Sequence, residues 1–128
     1  MDDLLRWGSD WLEEQRNALM AKPVTYVRGG ESTDLAASIG KTVFRIDKGY
    51  GVTERYESRD FLILSRDLVV GGTPTLPQRG DRIREADGNL VFVYEVMAPG
   101  NEPHFRYSDA YRKTLRIHAK LVSTEAAP

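Results

Sequence analysis

The stretch Leu76 to Val96, LPQRGDRIREADGNLVFVYEV, decides how this chain folds. Pro77 gives an extended lead-in, Arg79-Gly80-Asp81 gives a tight turn, and a β-hairpin follows. Asp87-Gly88 is a strong short-range hairpin signal, because such a turn needs positive φ. With Asp87 and Gly88 at its centre, strand Asp81–Glu85 meets strand Leu90–Val96. Ala86 then faces Asn89, Glu85 faces Leu90, Arg84 faces Val91, Ile83 faces Phe92, Arg82 faces Val93 and Asp81 faces Tyr94. Period-two alternation puts Ile83, Leu90, Phe92, Tyr94 and Val96 on one face, the expected core face. Each large apolar side chain fully buried there contributes on the order of 1.5–3 kcal/mol. The other face carries Arg82, Arg84, Val91 and Val93. A solvated face should be polar, so the two valines point to a second layer or to a partner.

Composition bounds the rest. A chain of 128 residues is read as one domain, 1–128, long enough for a single core. A net charge of -1 argues against a dedicated nucleic-acid binder, where a basic excess is expected. With no cysteine there is no disulfide, no thiolate metal site and no cysteine nucleophile, which fits a reducing compartment. No apolar run reaches membrane-spanning length, and the acidic start Met1-Asp2-Asp3 is unlike a signal peptide. The expectation is a soluble protein made in a cytoplasm, with no membrane partner.

Outward from the central hairpin, the chain begins with an expected α-helix over 2–21. Asp2 or Asp3 can cap it, Pro23 lies just past its end, and Leu4, Leu5, Trp11, Leu12, Leu19 and Met20 recur at helical spacing. Trp7 sits near the edge of that stripe. Either the helix packs on its own sheet, or Trp7 and Trp11 anchor a subunit contact. A β region is expected over 24–122. Val24–Arg28 alternates as a strand, residues 31–38 are polar and small and read as a loop, and Thr42–Asp47 reads as a second strand. Lys48–Ser58 (KGYGVTERYES) has no pattern and carries Tyr50 and Tyr56 as its only large rings, so it reads as a mobile loop or a projecting hairpin. Phe61–Leu64 is a short apolar strand that Asp67–Val70 can extend past a bulge. Phe105 and Tyr107 open a further β segment, with a turn at Ser108-Asp109. Leu115, Ile117, Ala119 and Leu121 alternate with Thr114, Arg116, His118 and Lys120 in a last strand. The tail 123–128 is expected to be disordered. One helix and about six short strands make a mainly β chain of α+β type, a small antiparallel β-barrel or sandwich with an N-terminal α-helix.

Few residues offer chemistry. His118 lies between Arg116 and Lys120 and reads as a surface histidine, and neither it nor His104 has a metal-ligand neighbour at a useful spacing. His104, Ser108 and Asp109 share one short extended segment that cannot fold into a nucleophilic triad. Gly49-Tyr50-Gly51 lacks the helix and the Gly-Lys-Ser/Thr of a phosphate loop. Arg79-Gly80-Asp81 spells an integrin-binding tripeptide, but its simpler role is the turn. Arg106, Arg112, Lys113, Arg116 and Lys120 are either a solvated face, a phosphate-contacting patch, or the complement of the acidic residues Asp2, Asp3, Asp10, Glu13 and Glu14. No catalytic residue, cofactor or metal is expected.

The order of these features carries a resemblance. An N-terminal helix leads into small strands and the apolar strand Phe61–Leu64. Arg79-Gly80-Asp81-Arg82-Ile83 follows, then the hairpin into Val93-Tyr94-Glu95-Val96, then Phe105-Arg106-Tyr107 and a basic end. This succession resembles the head–tail joining (head-completion) proteins of tailed bacteriophages, of the lambda type, and the related stopper and adaptor connector proteins. The lead-in from Gly71 to Pro77 and the strand from Lys113 to Val122 are longer than the lambda pattern. The resemblance implies a non-enzymatic virion protein of β-barrel fold that forms an oligomeric ring on the portal after packaging. It would bridge to the tail and help retain the genome. The implied partners are the portal or adaptor protein, tail proteins, further copies of itself and packaged DNA in the channel. The implied location is the virion neck, after assembly in the host cytoplasm. The residues expected to meet a partner are Trp7, Trp11, Tyr50, Tyr56, Arg82, Arg84, Val91 and Val93. The competing readings are a nucleic-acid-binding barrel using the basic last strand with Phe105 and Tyr107, and last a hydrolase built on His104.

Overall fold

The central hairpin turns one residue later than its sequence implies. Asp87 pairs with Leu90, so Gly88 and Asn89 are the central residues. Gly88 alone has positive φ, +60°, as a turn of type II′ requires at its first central position. Every pairing therefore moves by two: Ile83 faces Tyr94, Arg84 faces Val93 and Arg82 faces Glu95. Two is the period of a strand, so the shift leaves each side chain on its expected face. Ile83, Tyr94 and Val96 are buried, while Leu90 near the hairpin tip is exposed and Phe92 is half-buried.

The structure, a computed structural model, describes residues 21–100 and 102–127. The expected helix over 2–21, with Trp7 and Trp11, lies outside the described residues except for Ala21. What is described is mainly β: β1 (Lys22–Arg28), β2 (Glu31–Gly49), β3 (Val52–Leu64), β4 (Val69–Val70), β5 (Thr73–Pro74), β6 (Arg82–Asp87), β7 (Leu90–Val96), β8 (Phe105–Tyr107) and β9 (Thr114–Ala126), with one 3-10 turn at Ser65–Asp67. Seven strands pair antiparallel in the order β3-β2-β1-β6-β7-β9-β8, and β3 pairs additionally with β9. β4 and β5 form a separate small ladder around Gly71-Gly72.

Two sequence expectations are corrected, and one pair of alternatives is resolved. The loop expected at 31–38 is the first part of β2, paired with β1 from Arg28–Glu31 to Lys22–Ala37. Its polar residues belong to an alternating strand, in which Leu35 and Ala37 turn inward and Asp34 turns out to accept from Thr25 Oγ1 at 2.8 Å. Of the two readings of 48–58, a mobile loop or a projecting hairpin, the second is observed, with Tyr50 and Gly51, φ 54° and 76°, as the central residues. The tail expected to be disordered from 123 continues β9, where Ser123, Thr124, Glu125 and Ala126 pair with Val93, Phe92, Val91 and Leu90.

One cluster forms the core. Val24 and Tyr26 of β1, Ala37 of β2, Phe61 and Ile63 of β3, and Ile83 of β6 meet Tyr94 and Val96 of β7 and Leu115, Ile117 and Ala119 of β9. Leu68 and Val70 close one side of it. Phe61 and Tyr94 pack edge to face at 5.3 Å, an arrangement worth about 0.5–1.5 kcal/mol beyond area burial.

Candidate functional site

Two kinds of feature stand out once the strands are placed: among the described residues, three buried carboxylates, and a ribbon that leaves the sheet. Asp60 and Glu85 sit in strands that otherwise bury apolar side chains and Asp81 sits in the turn just before β6, so each must be paired to be tolerated.

Asp60 of β3 is fully buried. It accepts from Ser58 Oγ at 2.6 Å, from Arg116 Nε at 2.6 Å, from His118 Nδ1 at 2.8 Å and from the Thr42 hydroxyl. Burial pushes its pKa up, but these hydrogen bonds outweigh that and lower it to about 2. Arg116 also reaches the Lys41 carbonyl at 3.1 Å, passing Gly40, where any Cβ would stand 3.1 Å from the guanidinium. His118 is buried, not on the surface as its charged neighbours implied, and it meets the Phe44 ring edge-on at 5.2 Å. Ser58, His118 and Asp60 have the composition of a catalytic triad but not its geometry. Ser58 Oγ lies 3.3 Å from Nδ1, the same nitrogen that Asp60 engages, so no relay from hydroxyl through the ring to the acid exists. The cluster ties β2, β3 and β9 together where the ribbon departs.

Asp81, the acid of the Arg79-Gly80-Asp81 turn, is likewise buried. It accepts from Arg28 Nε at 3.0 Å and Nη2 at 2.8 Å, from the Gln78 amide at 2.9 Å and from the Tyr26 hydroxyl. Burial raises its pKa, and the bonds from Arg28, Tyr26 and Gln78 bring it below the usual value. The turn reading of the tripeptide therefore holds, with the acid facing inward. Glu85 is buried between Lys22 Nζ at 2.8 Å and Arg59, whose guanidinium donates at 2.7–3.0 Å. Arg59 also lies over the Tyr94 ring at 5.2 Å. Sequence reasoning missed Glu85 and Asp60; a carboxylate at an inward position of an apolar strand was the available signal.

The second feature is the outer part of the β2–β3 hairpin. At its tip Tyr50 is fully exposed at φ 54°, and Val43 and Val52 are exposed along its length. A tyrosine in the left-handed region, where glycine or asparagine serves better, is a conformational cost without a packing return. Tyr56 is half-buried, and its hydroxyl meets Met97 Sδ at 3.2 Å.

The expected partner-facing residues divide accordingly. Tyr50 is open. Arg82 is exposed and lies 3.9 Å from Glu95, and Arg84 pairs with Glu125 at 2.7 Å. Val91 and Val93 are buried within the chain, at 8% and 1% exposure. Val93→Ala should accordingly cost about 2 kcal/mol through loss of two buried methyl groups and partial collapse around them. Thermal unfolding with unchanged circular dichroism at 20 °C is the check; an unshifted transition would return Val93 to the surface.

His104, Ser108 and Asp109 are separated, as their spacing implied. His104 Nε2 donates to the Pro77 carbonyl at 2.7 Å, while Asp109 accepts the amides of Tyr111, Lys113 and Thr114 and shapes the turn into β9. Phe105 and Tyr107 pack against the core, and Arg116 is committed to Asp60.

Antiparallel strands around one core, polar clusters that hold strands together, and a ribbon projecting from them make this a mainly β protein. The chain belongs to the phage head–tail joining protein family, whose family model matches residues 2–126. It is therefore a virion component that meets other head or tail proteins. No curated protein matches the chain at a significant level.

Proposed function

We propose that this protein completes the phage head as a ring in the neck, seated between the portal or its adaptor and the tail, and helps to retain the packaged DNA. Membership of the head–tail joining family over residues 2–126 carries this reading. The chain's own features support it. The buried carboxylates are spent on fixing strand positions, and the most exposed elaboration is a ribbon tipped by Tyr50. We also infer that the sheet wraps its core as a small barrel. The pairing circuit β3-β2-β1-β6-β7-β9 returns to β3, and all six strands contribute side chains to the single core cluster.

Electron microscopy of particles that carry a tagged copy should place the label at the neck, once per particle. A label spread over the capsid lattice or confined to the tail tip would overturn the assignment.

A further inference from the structure

The hairpin of β2 and β3 is longer than the sheet that holds it. β1 covers β2 only as far as Ala37, and β9 covers β3 only from Arg59 onward. Among the described residues, 41–49 and 52–58 therefore pair with each other and with no other strand. Nine residues of strand make a ribbon roughly 30 Å long, and among the described residues its outer edges pair with no other strand, although the Lys41 carbonyl accepts from Arg116 and the Gly49 amide donates to Asp47 Oδ1. Each open side also borders a groove. One of about 490 Å³ runs along β2 from Val43 to Asp47, facing Pro99, Gly100 and Glu102. Another of about 470 Å³ lies beside β3 at Tyr56–Arg59, facing Ala119–Leu121. Long open strand edges are templates for another strand, and soluble proteins ordinarily shorten or cover them.

The charges on the ribbon say which strand fits. Within the chain, Arg45 lies directly across from Arg55, an unfavourable pairing, and Val43 lies across from Glu57. Arg45 has no carboxylate partner among the described residues, whereas Arg55 reaches Glu57 on its own strand at 2.8 Å. Bring β2 of one copy antiparallel against the open edge of β3 of another, two residues out of the internal register. Arg45 then faces Glu57 and Asp47 faces Arg55. On the opposite ribbon face, Ile46 meets Tyr56 and Lys48 meets Glu54. Lys48 and Glu54 already pair within the chain at 3.0 Å, and Arg55 and Glu57 at 2.8 Å. The gain is therefore an opposite-charge neighbour for Arg45 and for Asp47, in place of Arg45 facing Arg55, together with one apolar pair.

We propose that neighbouring copies of this chain join through these edges, β2 at 41–49 of one copy pairing with β3 at 52–58 of the next. The two edges differ, so the contact is head-to-tail and generates a ring when its rotation closes. This interface rests on the ring reading above and specifies which surface makes the ring.

The absence of cysteine from the chain makes the test direct. Arg45→Cys and Glu57→Cys, both at exposed positions, are made as full-length chains with different mass tags and supplied together during phage assembly. After mild oxidation of purified particles, disulfide-linked dimers containing one of each tag are expected, and particles made with either variant alone should give none. Incorporation into particles without mixed dimers overturns the edge pairing while leaving the neck assignment intact. Absence of the protein from particles overturns both. Charge reversal supplies a second readout. Arg45→Glu or Glu57→Arg alone should reduce incorporation, and the two together in one chain should restore it; equal incorporation of all three would contradict the proposal.

Discussion

Asp60→Asn is expected to lower the melting temperature by about 11–19 °C, the largest single-residue effect in the sheet. The carboxylate is fully buried and holds the Arg116 guanidinium, the His118 ring and the Ser58 and Thr42 hydroxyls. An amide keeps the shape but removes the charge and presents an N–H₂ to groups that are themselves donors. Breaking a buried ion pair from one side costs about 3–5 kcal/mol, and an unfolding entropy of about 2.1 cal/mol/K per residue converts that into the stated shift. The effect has a pH signature. Asp60 titrates at about 2 in the folded chain against an ordinary value of 3.8. The unfolded chain therefore binds the proton first. The stabilisation, about 2 kcal/mol for this one group, is complete above pH 3.8 and is lost as pH falls through about 2. The gap between the unfolding free energies of the parent and Asp60→Asn, measured from pH 7 to pH 2, should narrow by about 2 kcal/mol at the acid end. A constant gap across that range would mean that the carboxylate charge is not what stabilises the cluster.

Asp81→Ala is the second large effect, at about 3 kcal/mol. It strands the fully buried Tyr26 hydroxyl and the Arg28 guanidinium and frees the Gln78 amide. The cost falls below that of Asp60 because Asp81 holds one basic side chain, Arg28, which can rehydrate, whereas Asp60 holds both Arg116 and the buried His118 ring. Arg79→Ala, two residues away in the same tripeptide and exposed, should stay within about 0.5 kcal/mol of the parent. Urea unfolding of the two variants separates a structural turn from a surface recognition motif. Equal sensitivity at both positions would overturn the inward role of Asp81.

Some of this was legible in the residues. Alternation places Ile83, Tyr94 and Val96 on the core face whether Asp87-Gly88 or Gly88-Asn89 forms the centre of the turn, because a shift of two in pairing is one full strand period. The succession from Phe61–Leu64 through Arg79-Gly80-Asp81 to Phe105-Arg106-Tyr107 identified the family. Residues 31–38 were misread because a strand with one solvated face shares its composition with a loop. The register against β1 that distinguishes them depends on Gly29-Gly30 closing a hairpin.

What the sequence by itself determined is the mainly β character, the inward face of the central hairpin, the turn role of Arg79-Gly80-Asp81 and the family. These rest on local patterns of period two and on turn chemistry, which are properties of neighbouring residues. Only the tertiary structure decided that Asp60, Asp81 and Glu85 are buried anchors, that His118 is internal, and that Val91 and Val93 are covered within the chain. It alone also placed the ends of β1 and β9 so as to leave the β2–β3 ribbon with two open edges. Each of these depends on partners dozens of positions away, Asp60 with Arg116 and Asp81 with Arg28 among them. Charge and hydropathy read along the chain do not say which distant residue will arrive to satisfy a buried group.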